Sequence, residues 1–464
     1  MTASFTQIEA YLKEQNLSPH EVGLFQRLYA GFQRHGSYKV DWEEISTPEE
    51  GMILEHETLP EPHEAEAKSL IQKTAVCRLN GGLGTTMGCV GPKSAIEVRD
   101  NMTFMDMIVT QLQALNQRFQ ADVPLVLMNS FNTDQDTHKI IKKYVGDLNI
   151  YCFKQNRLPR LRKDSLMPMS VERFGEEAFY PPGHGDFFDA FPHSGILDQL
   201  LAEGREWLFI ANADNLGANV DLRILKYMAD SHTPFVMEVT PKTRADVKGG
   251  TLVKTTAKPL HLLEIAQVPK EHTQEFKSIK KFKIFNTNNS WINLKTLKEV
   301  LTQGPVEREV LINHKTVKGV PVIQLETALG AGVAAFEGAK AVAVPRSRFL
   351  PVKKTDDLLL VQSNIFKVEQ GVLVRNPARQ FPELPMIRLG EFFKSYEQYQ
   401  ERFETIPDIL DLDLLTVVGD VWFGADITLK GNVITVCDAG RLHLPRGSLL
   451  ENKVLTGNIE IGEL

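Results

Sequence analysis

Residues Thr74–Ser94 read TAVCRLNGGLGTTMGCVGPKS. An apolar run from Thr74 to Leu79 opens into a stretch in which Gly81, Gly82, Gly84, Gly88 and Gly91 crowd together. A short apolar run bounded by such a turn predicts a buried strand that delivers a loop. Closely spaced glycines let successive backbone N–H groups line a concave anion site, and Lys93 adds a positive charge. The stretch reads as a phosphate cradle at the end of a strand.

Two common phosphate loops fit poorly. A Walker A loop needs Gly-Lys-Ser/Thr where its helix opens, and here Pro92 precedes Lys93, removing an N–H and fixing φ. A dinucleotide fingerprint needs GxGxxG running into a helix. Gly82, Gly84 and Gly88 are spaced GxGxxxG, Gly91 and Pro92 interrupt, and only Asp106 downstream favours that reading. A tight turn without a ligand is the third reading, and five glycines with a lysine count against it.

Working outward, similar apolar runs occur at Pro124–Met128 (PLVLM), Trp207–Asn212 (WLFIAN) and Pro234–Val239 (PFVMEV). Unbroken runs rather than alternation suit strands buried on both faces of a largely parallel sheet. Between them, Phe104, Met105, Ile108, Val109, Leu112 and Leu115 cover one helical face. Strand and helix in alternation predict an α/β, doubly wound domain, where ligands bind at strand ends.

The first fifty residues carry a helical pattern through Ile8, Leu12, Val22, Phe25, Leu28 and Tyr29. After a Pro-rich stretch from Asn376 to Pro385, Leu415, Val421, Ile427 and Val433 fall six apart, and Leu449, Leu455 and Ile461 resume the interval. Such a repeat predicts a β-solenoid; spacing alone does not separate it from ordinary strands. The expected division is a helical segment 1–50, a central α/β domain 51–390 and a C-terminal β-helix domain 391–464. With every candidate site residue before 400, the tail is expected to have its own core and either to pair with another copy as a homo-oligomer or to cap the fold.

At 464 residues, and roughly 150 per domain, about three folding units are expected. Lys and Arg total 52 against 59 Asp and Glu, a net charge of −7, so there is no global case for a nucleic-acid binder or a polybasic membrane protein. Cys77, Cys89, Cys152 and Cys437 form no CxxC pair, which points to reduced thiols. No apolar run approaches a membrane span and the first residues lack a signal-peptide core. The expected location is cytoplasmic.

LNGGLGTTMGCVGPKS resembles the signature of the eukaryotic-type UDP-glucose pyrophosphorylases. PLVLMNSFNTDQDT from Pro124, YPPGHGD from Tyr180, NADNLGA from Asn212, FNTNNSWINL from Phe285, QLETALGAG from Gln324 and VPRSRFLPVK from Val344 follow in that family's order. The resemblance implies a nucleotide-diphospho-sugar transferase-like (GT-A-like Rossmann) central domain with a left-handed β-helix at the C-terminus. It also implies transfer of UMP from UTP to glucose 1-phosphate, giving UDP-glucose and pyrophosphate.

Each segment has its own chemistry beside what the resemblance implies. A carboxylate at a strand's C-terminal end, Asp214, suits a hard cation joining two phosphates, and a helix cap or Asx-turn is the plainer alternative; the resemblance makes it the Mg²⁺ ligand. YPPGHGD is a stiff turn presenting His184, and the Gln155 amide can pair with a uracil edge. The resemblance puts Gln155 and Gly183 on the uracil, the backbone of Leu79, Asn80, Gly81 and Gly82 on the nucleotide, and Lys93 on the phosphates. It likewise sets His184, Asn212 and Ala213 at the sugar phosphate.

Amides at Asn286 and Asn288 with Thr287, read as a turn, and the Glu264 carboxyl suit sugar hydroxyls. Arg346, Arg348, Lys353 and Lys354 form a basic group, and Lys248 sits in another Gly-bearing turn. The resemblance makes Lys353 the catalytic lysine; lysines as point charges suit phosphoryl chemistry, so Lys93 and Lys248 join it. Lys277, Lys280, Lys281 and Lys283 read as a solvated face. Alternatives are a UDP-N-acetylhexosamine or broad UDP-sugar pyrophosphorylase, disfavoured by Thr86 and Met87 where those relatives carry arginine and leucine, and a nucleotide-sugar-binding subunit without catalysis.

Overall fold

The structure, a computed structural model, describes residues 5–35, 39–99, 101–243 and 249–457. It resolves into two compact units, each assembled from separated stretches of chain. The first comprises Met1–Gly81, Asn116–Asn212 and Val220–Arg346; the second comprises Gly82–Leu115, Ala213–Asn219 and Ser347–Leu464. Neither unit begins at residue 51 or 391.

The first unit is built on eight strands: β1 Ile53–Glu55, β2 Thr74–Asn80, β3 Leu125–Asn129, β4 Ile150–Lys154, β5 Trp207–Asn212, β6 Phe235–Pro241, β7 Ile284–Asn293 and β8 Lys340–Ala343. Their order is β1-β8-β6-β7-β5-β2-β3-β4. All neighbours pair in parallel except those of β7, which runs antiparallel to both β5 and β6. The four apolar runs read as strands are β2, β3, β5 and β6, and Ala75, Cys77, Val126, Leu208, Ile210 and Met237 are wholly buried among them.

Phe285–Asn289 departs from the expected turn, because it lies inside β7. Val239 faces Asn286 and Met237 faces Ser290, so β7 spends four steps where β6 spends two. The extra residues bulge out of the ladder, and Asn288 takes a left-handed φ of 63°. The polar amides therefore come from an interruption in a strand. Helices Phe5–Glu14 and Pro19–His35 bury Ile8, Leu12, Phe25, Leu28 and Tyr29 against Leu158, Tyr180 and the hairpin strand Val320–Glu326.

In the second unit β9 Met386–Leu389, β10 Leu412–Val418, β12 Thr428–Cys437 and β14 Leu449–Gly457 pair in parallel, as do β11 Val421–Phe423 and β13 Leu442–Leu444. Leu415, Val421, Ile427 and Val433 are all buried, as the six-residue interval requires. The resumption at Leu449 is not inward-facing. Leu449 pairs with Thr428 on the outer face and is 59% exposed, while its neighbour Leu450 pairs with the buried Leu429 and takes the core position. Ile461 lies outside the described residues.

One apolar cluster joins Met87, Ile96, Leu216 and Leu350 to Phe393, Tyr399, Phe403, Leu412 and Phe423. The core of the tail is thus the core of the glycine loop as well. A chain ending before residue 400 loses Phe403, Leu412, Leu415, Val421, Phe423 and Ile427 from it. At about 1.5–3 kcal/mol per fully buried side chain, that loss rivals the whole stability of a domain. The truncated protein is expected to leave residues 82–115 open to proteolysis, and a protease-resistant, soluble truncation would contradict a shared core.

Candidate active site

In the first unit the ends of β2, β4 and β5 carry polar residues. Asn80 is buried, and its amide donates to Asn129 Oδ1 and Thr137 Oγ1, both at 2.9 Å, so its side chain serves the fold. Gly81 follows, and Ser130 Oγ donates to its carbonyl at 2.8 Å. A Cβ there would stand 2.1 Å from Gln155 Nε2, so only glycine lets the glutamine lie against the loop. The Gln155 backbone N–H donates to Asn129 at 2.8 Å, and its buried Oε1 has no partner.

The Tyr180–Asp186 turn is anchored at both ends. The Tyr180 hydroxyl accepts the Leu325 N–H at 2.6 Å and donates to the Leu325 carbonyl at 2.9 Å. Thr327 N–H donates to Pro182 and Gly185 N–H to Thr327. Gly183 has φ 84° and packs so closely that a Cβ would lie 2.8 Å from the Thr327 carbonyl, which excludes other residues. His184 Nδ1 accepts the Leu329 N–H at 2.8 Å, which places the proton of the neutral ring on Nε2.

Asn212 ends β5, and its Oδ1 accepts from Asn288 Nδ2 at 2.9 Å. Asn288 Oδ1 is buried without a partner, and Asn286 Oδ1 accepts the Asn288 N–H at 2.8 Å. Thr287 corrects the sequence reading: it is buried and its hydroxyl donates to the Glu238 carbonyl, so it points into the fold. Glu264 lies against Gly250, where a Cβ would meet its carboxyl at 2.7 Å, and burial raises its pKa. Lys248 lies outside the described residues.

The Lys93–Asp214–Lys353 cluster belongs to the second unit. Asp214 Oδ2 accepts from Lys93 Nζ at 2.6 Å and from Lys353 Nζ at 2.7 Å. The backbone explains the meeting. Lys93 N–H donates to Gly82 as the glycine loop folds back on itself, with Leu83 bridged to Pro92. Val352 N–H donates to the Asp214 carbonyl at 3.1 Å, and Asn215 Oδ1 takes the Leu350 N–H at 2.8 Å, so 350–353 runs alongside 214–215. Ala213, next to Asp214, is buried.

Burial opposes the Asp214 charge, but Lys353 and Lys93 outweigh it and hold the carboxyl below its usual range. Lys93 is lowered by burial, with Asp214 restoring part of the loss. Asp214 Oδ1 is buried and unpartnered, which suits a divalent cation's oxygen ligand. The cap role weighed for Asp214 belongs to Asp221, whose Oδ1 accepts the N–H groups of Arg223 and Ile224. Arg348 donates to Asn219 and is buried, Arg346 stacks over Phe285, and Lys354 pairs with Asp356.

Sequence reading missed several supports. Glu238, buried in β6, accepts from Asn289 Nδ2 at 2.9 Å and Trp291 Nε1 at 2.8 Å, holding the β7 bulge from beneath. Its signal was a carboxylate inside an otherwise apolar strand run. Thr86 donates to the Lys353 carbonyl at 3.1 Å, and Asp186 pairs with Asn156; both lie in motifs the sequence offered, but their partners are distant in the chain.

Glycine-loop amides, amide-rich strand ends and paired lysines on one aspartate are the equipment of a nucleotidyltransferase, a class in which a divalent cation is typical. The family model described as UTP--glucose-1-phosphate uridylyltransferase matches residues 22–430. UTP--glucose-1-phosphate uridylyltransferase 2 of Dictyostelium discoideum is 51% identical over 448 residues, covering 96% of this chain and 89% of that protein. The Musa acuminata UTP--glucose-1-phosphate uridylyltransferase is 48% identical, covering 99% of each. Among solved structures, a point mutant of the Leishmania major UDP-glucose pyrophosphorylase in complex with UDP-glucose aligns at a TM-score of 0.88 and 31% identity, covering 98% of this chain and 100% of that one. The chain belongs to the UTP--glucose-1-phosphate uridylyltransferase family.

Proposed function

We propose that the protein catalyses Mg²⁺-dependent, reversible transfer of UMP from UTP to glucose 1-phosphate, giving UDP-glucose and pyrophosphate. The observation that carries this reading is the Asp214 carboxyl, with one oxygen shared by Lys93 and Lys353 and the other bare. Among the described residues no group of three or more His, Cys, Asp or Glu accompanies it. Asp214, with its Oδ1 unpartnered, is the side chain assigned to the metal. When bound, Mg²⁺ supplies charge neutralisation for the phosphates.

The chain's own residues then have mainly to position and neutralise. Backbone from Leu79 to Gly82, with Gln155 and Gly183, takes the nucleotide, and the Gln155 amide offers uracil both a donor and an acceptor. His184 Nε2–H, Asn212 and Ala213 attend the sugar phosphate. Glu264, Asn286 and Asn288 meet sugar hydroxyls, while Thr287 holds their strand. An oxygen of glucose 1-phosphate attacks the α-phosphorus in line, and the bond to the bridging oxygen breaks with its electron pair leaving on pyrophosphate. Lys93, Lys353 and Lys248 neutralise the charge that moves. One phosphoanhydride replaces another, which accounts for reversibility.

The parallel strands β10–β14 support reading 391–464 as a left-handed β-helix. Leu449 and Val454, both exposed on its last described strand, support pairing with another copy there. Four free cysteines support a cytoplasmic location, and among the described residues no helix is long and apolar enough to cross a membrane.

A coupled pyrophosphate-release assay over nucleotides and sugar 1-phosphates tests the reading. UTP with glucose 1-phosphate is expected to exceed CTP, ATP or GTP by orders of magnitude, because a site hydrogen-bonding one base leaves its groups unpaired with another. Equal turnover with ATP would sink the uracil assignment, and faster turnover with N-acetylhexosamine 1-phosphate the sugar assignment.

A further inference from the structure

Asp186 closes the Gly183–His184 turn, and it is 1% exposed. Its Oδ2 accepts the backbone N–H of Asn156 at 2.6 Å, and its Oδ1 accepts the Asn156 side-chain amide at 2.7 Å. Asn156 is the residue after Gln155. One buried carboxyl thus joins the segment bearing Gln155 to the segment bearing Gly183 and His184. No other polar side chain is needed for that link, and the backbone N–H it takes is fixed to the peptide that carries Gln155.

Burying a carboxyl is costly. Here burial pushes the pKa up to about 7, against the pull of the two Asn156 N–H groups, with Asp189 raising it further and Arg308 lowering it. An apolar residue at this position would avoid that cost but leave both Asn156 donors unpaired. The carboxyl therefore serves geometry at a net expense to its own ionisation.

We propose that Asp186 is a positioning residue for nucleobase selection: through Asn156 it fixes the Gln155 amide relative to the Gly183 turn. The proposal rests on Gln155 reading uracil. It predicts an effect on recognition rather than on the chemical step, because Asp186 acts through Asn156 and Gln155 and through the turn that carries Gly183, the groups assigned to the base.

The test is steady-state kinetics with UTP and CTP on Asp186→Ala, Asp186→Asn and Gln155→Ala, with thermal melting. Asp186→Ala is expected to raise the UTP KM roughly tenfold and to lower the UTP-over-CTP ratio of kcat/KM by a similar factor, with kcat within about threefold. Asp186→Asn is expected to recover most of both, since its oxygen can take the Asn156 N–H while its amide meets a flipped Asn156 side chain. A purely structural role would lower Tm in Asp186→Ala and leave the UTP KM and the base ratio within twofold, which overturns the proposal. If Asp186→Ala does not fold, Asp186→Ser, too short to hold both Asn156 donors, takes its place, and an unchanged base ratio there overturns the proposal equally. Gln155→Ala separates the two layers. Loss of base preference in Gln155→Ala with none in the Asp186 variants refutes the positioning role alone, whereas retained preference in Gln155→Ala refutes the uracil reading and the proposal with it.

Discussion

In Asp214→Asn, turnover is expected to fall by roughly 10³-fold or more with the fold intact. The amide keeps the shape and one acceptor for the two ammonium groups, but it lacks the charge that makes Oδ1 a ligand for a hard cation. It also leaves Lys93, already lowered by burial, without its compensating anion. On the proposed metal role, the loss should be largest at limiting Mg²⁺. The pH dependence of stability has a defined sign. The folded Asp214 pKa lies below its unfolded value, so its contribution is present above the ordinary carboxylate range and is lost as pH falls through it. The variant should lack that acid-sensitive part. Wild-type kcat at limiting Mg²⁺ would show that the carboxylate has no part in metal binding.

What was legible in the sequence followed from local chemistry. Unbroken apolar runs marked β2, β3, β5 and β6 because strands buried on both faces need no polar alternation. The glycine loop and the YPPGHGD turn were legible because close backbone approach leaves few residue choices. Strand β7 was hidden: its Asn-rich segment looks like a loop, and only its two partners, distant in sequence, make it a strand. The exposed face of the hairpin Leu311–Glu326, with His314 and Lys315, concealed that element for the same reason. The mixing of residues 82–115 and 213–219 into the C-terminal unit is a matter of long-range packing, which no window reveals. Asp214 could be picked out from its strand end, but its sharing by two lysines could not, since 93, 214 and 353 meet only through the backbone pairing of 214–215 with 350–353.

Lys353→Ala is expected to lower kcat by roughly 10² or more while the UTP KM changes little. The structure gives this lysine a fixed base and a reachable tip. Its N–H donates to Asp357 Oδ2 at 2.8 Å and its carbonyl accepts from Thr86, while Asn215 and Pro351 bridge just before it. The side chain itself is 56% exposed, yet its ammonium sits 2.7 Å from Asp214. Only the lysine end of this pair is exposed, Asp214 being 11% exposed, but Lys93 still pairs with Asp214 in the variant, so the substitution should cost some stability without unfolding the protein. On the proposed mechanism, what it removes is a charge aimed at oxygens whose charge grows during transfer. Lys93→Ala should differ, because Lys93 is largely buried and held within the glycine loop: there the UTP KM should rise along with the fall in kcat, and stability should drop as Asp214 loses its buried partner. Lys353→Arg should rescue only in part, since a planar fork does not replace a compact ammonium in a tight phosphate site. If Lys353 were merely solvated like Lys354, which pairs with Asp356 beside it, both constants would stay near wild type in Lys353→Ala. Kinetics on the three variants, with circular dichroism to confirm folding, separates a charge that acts in the transition state from one that only holds the ground state.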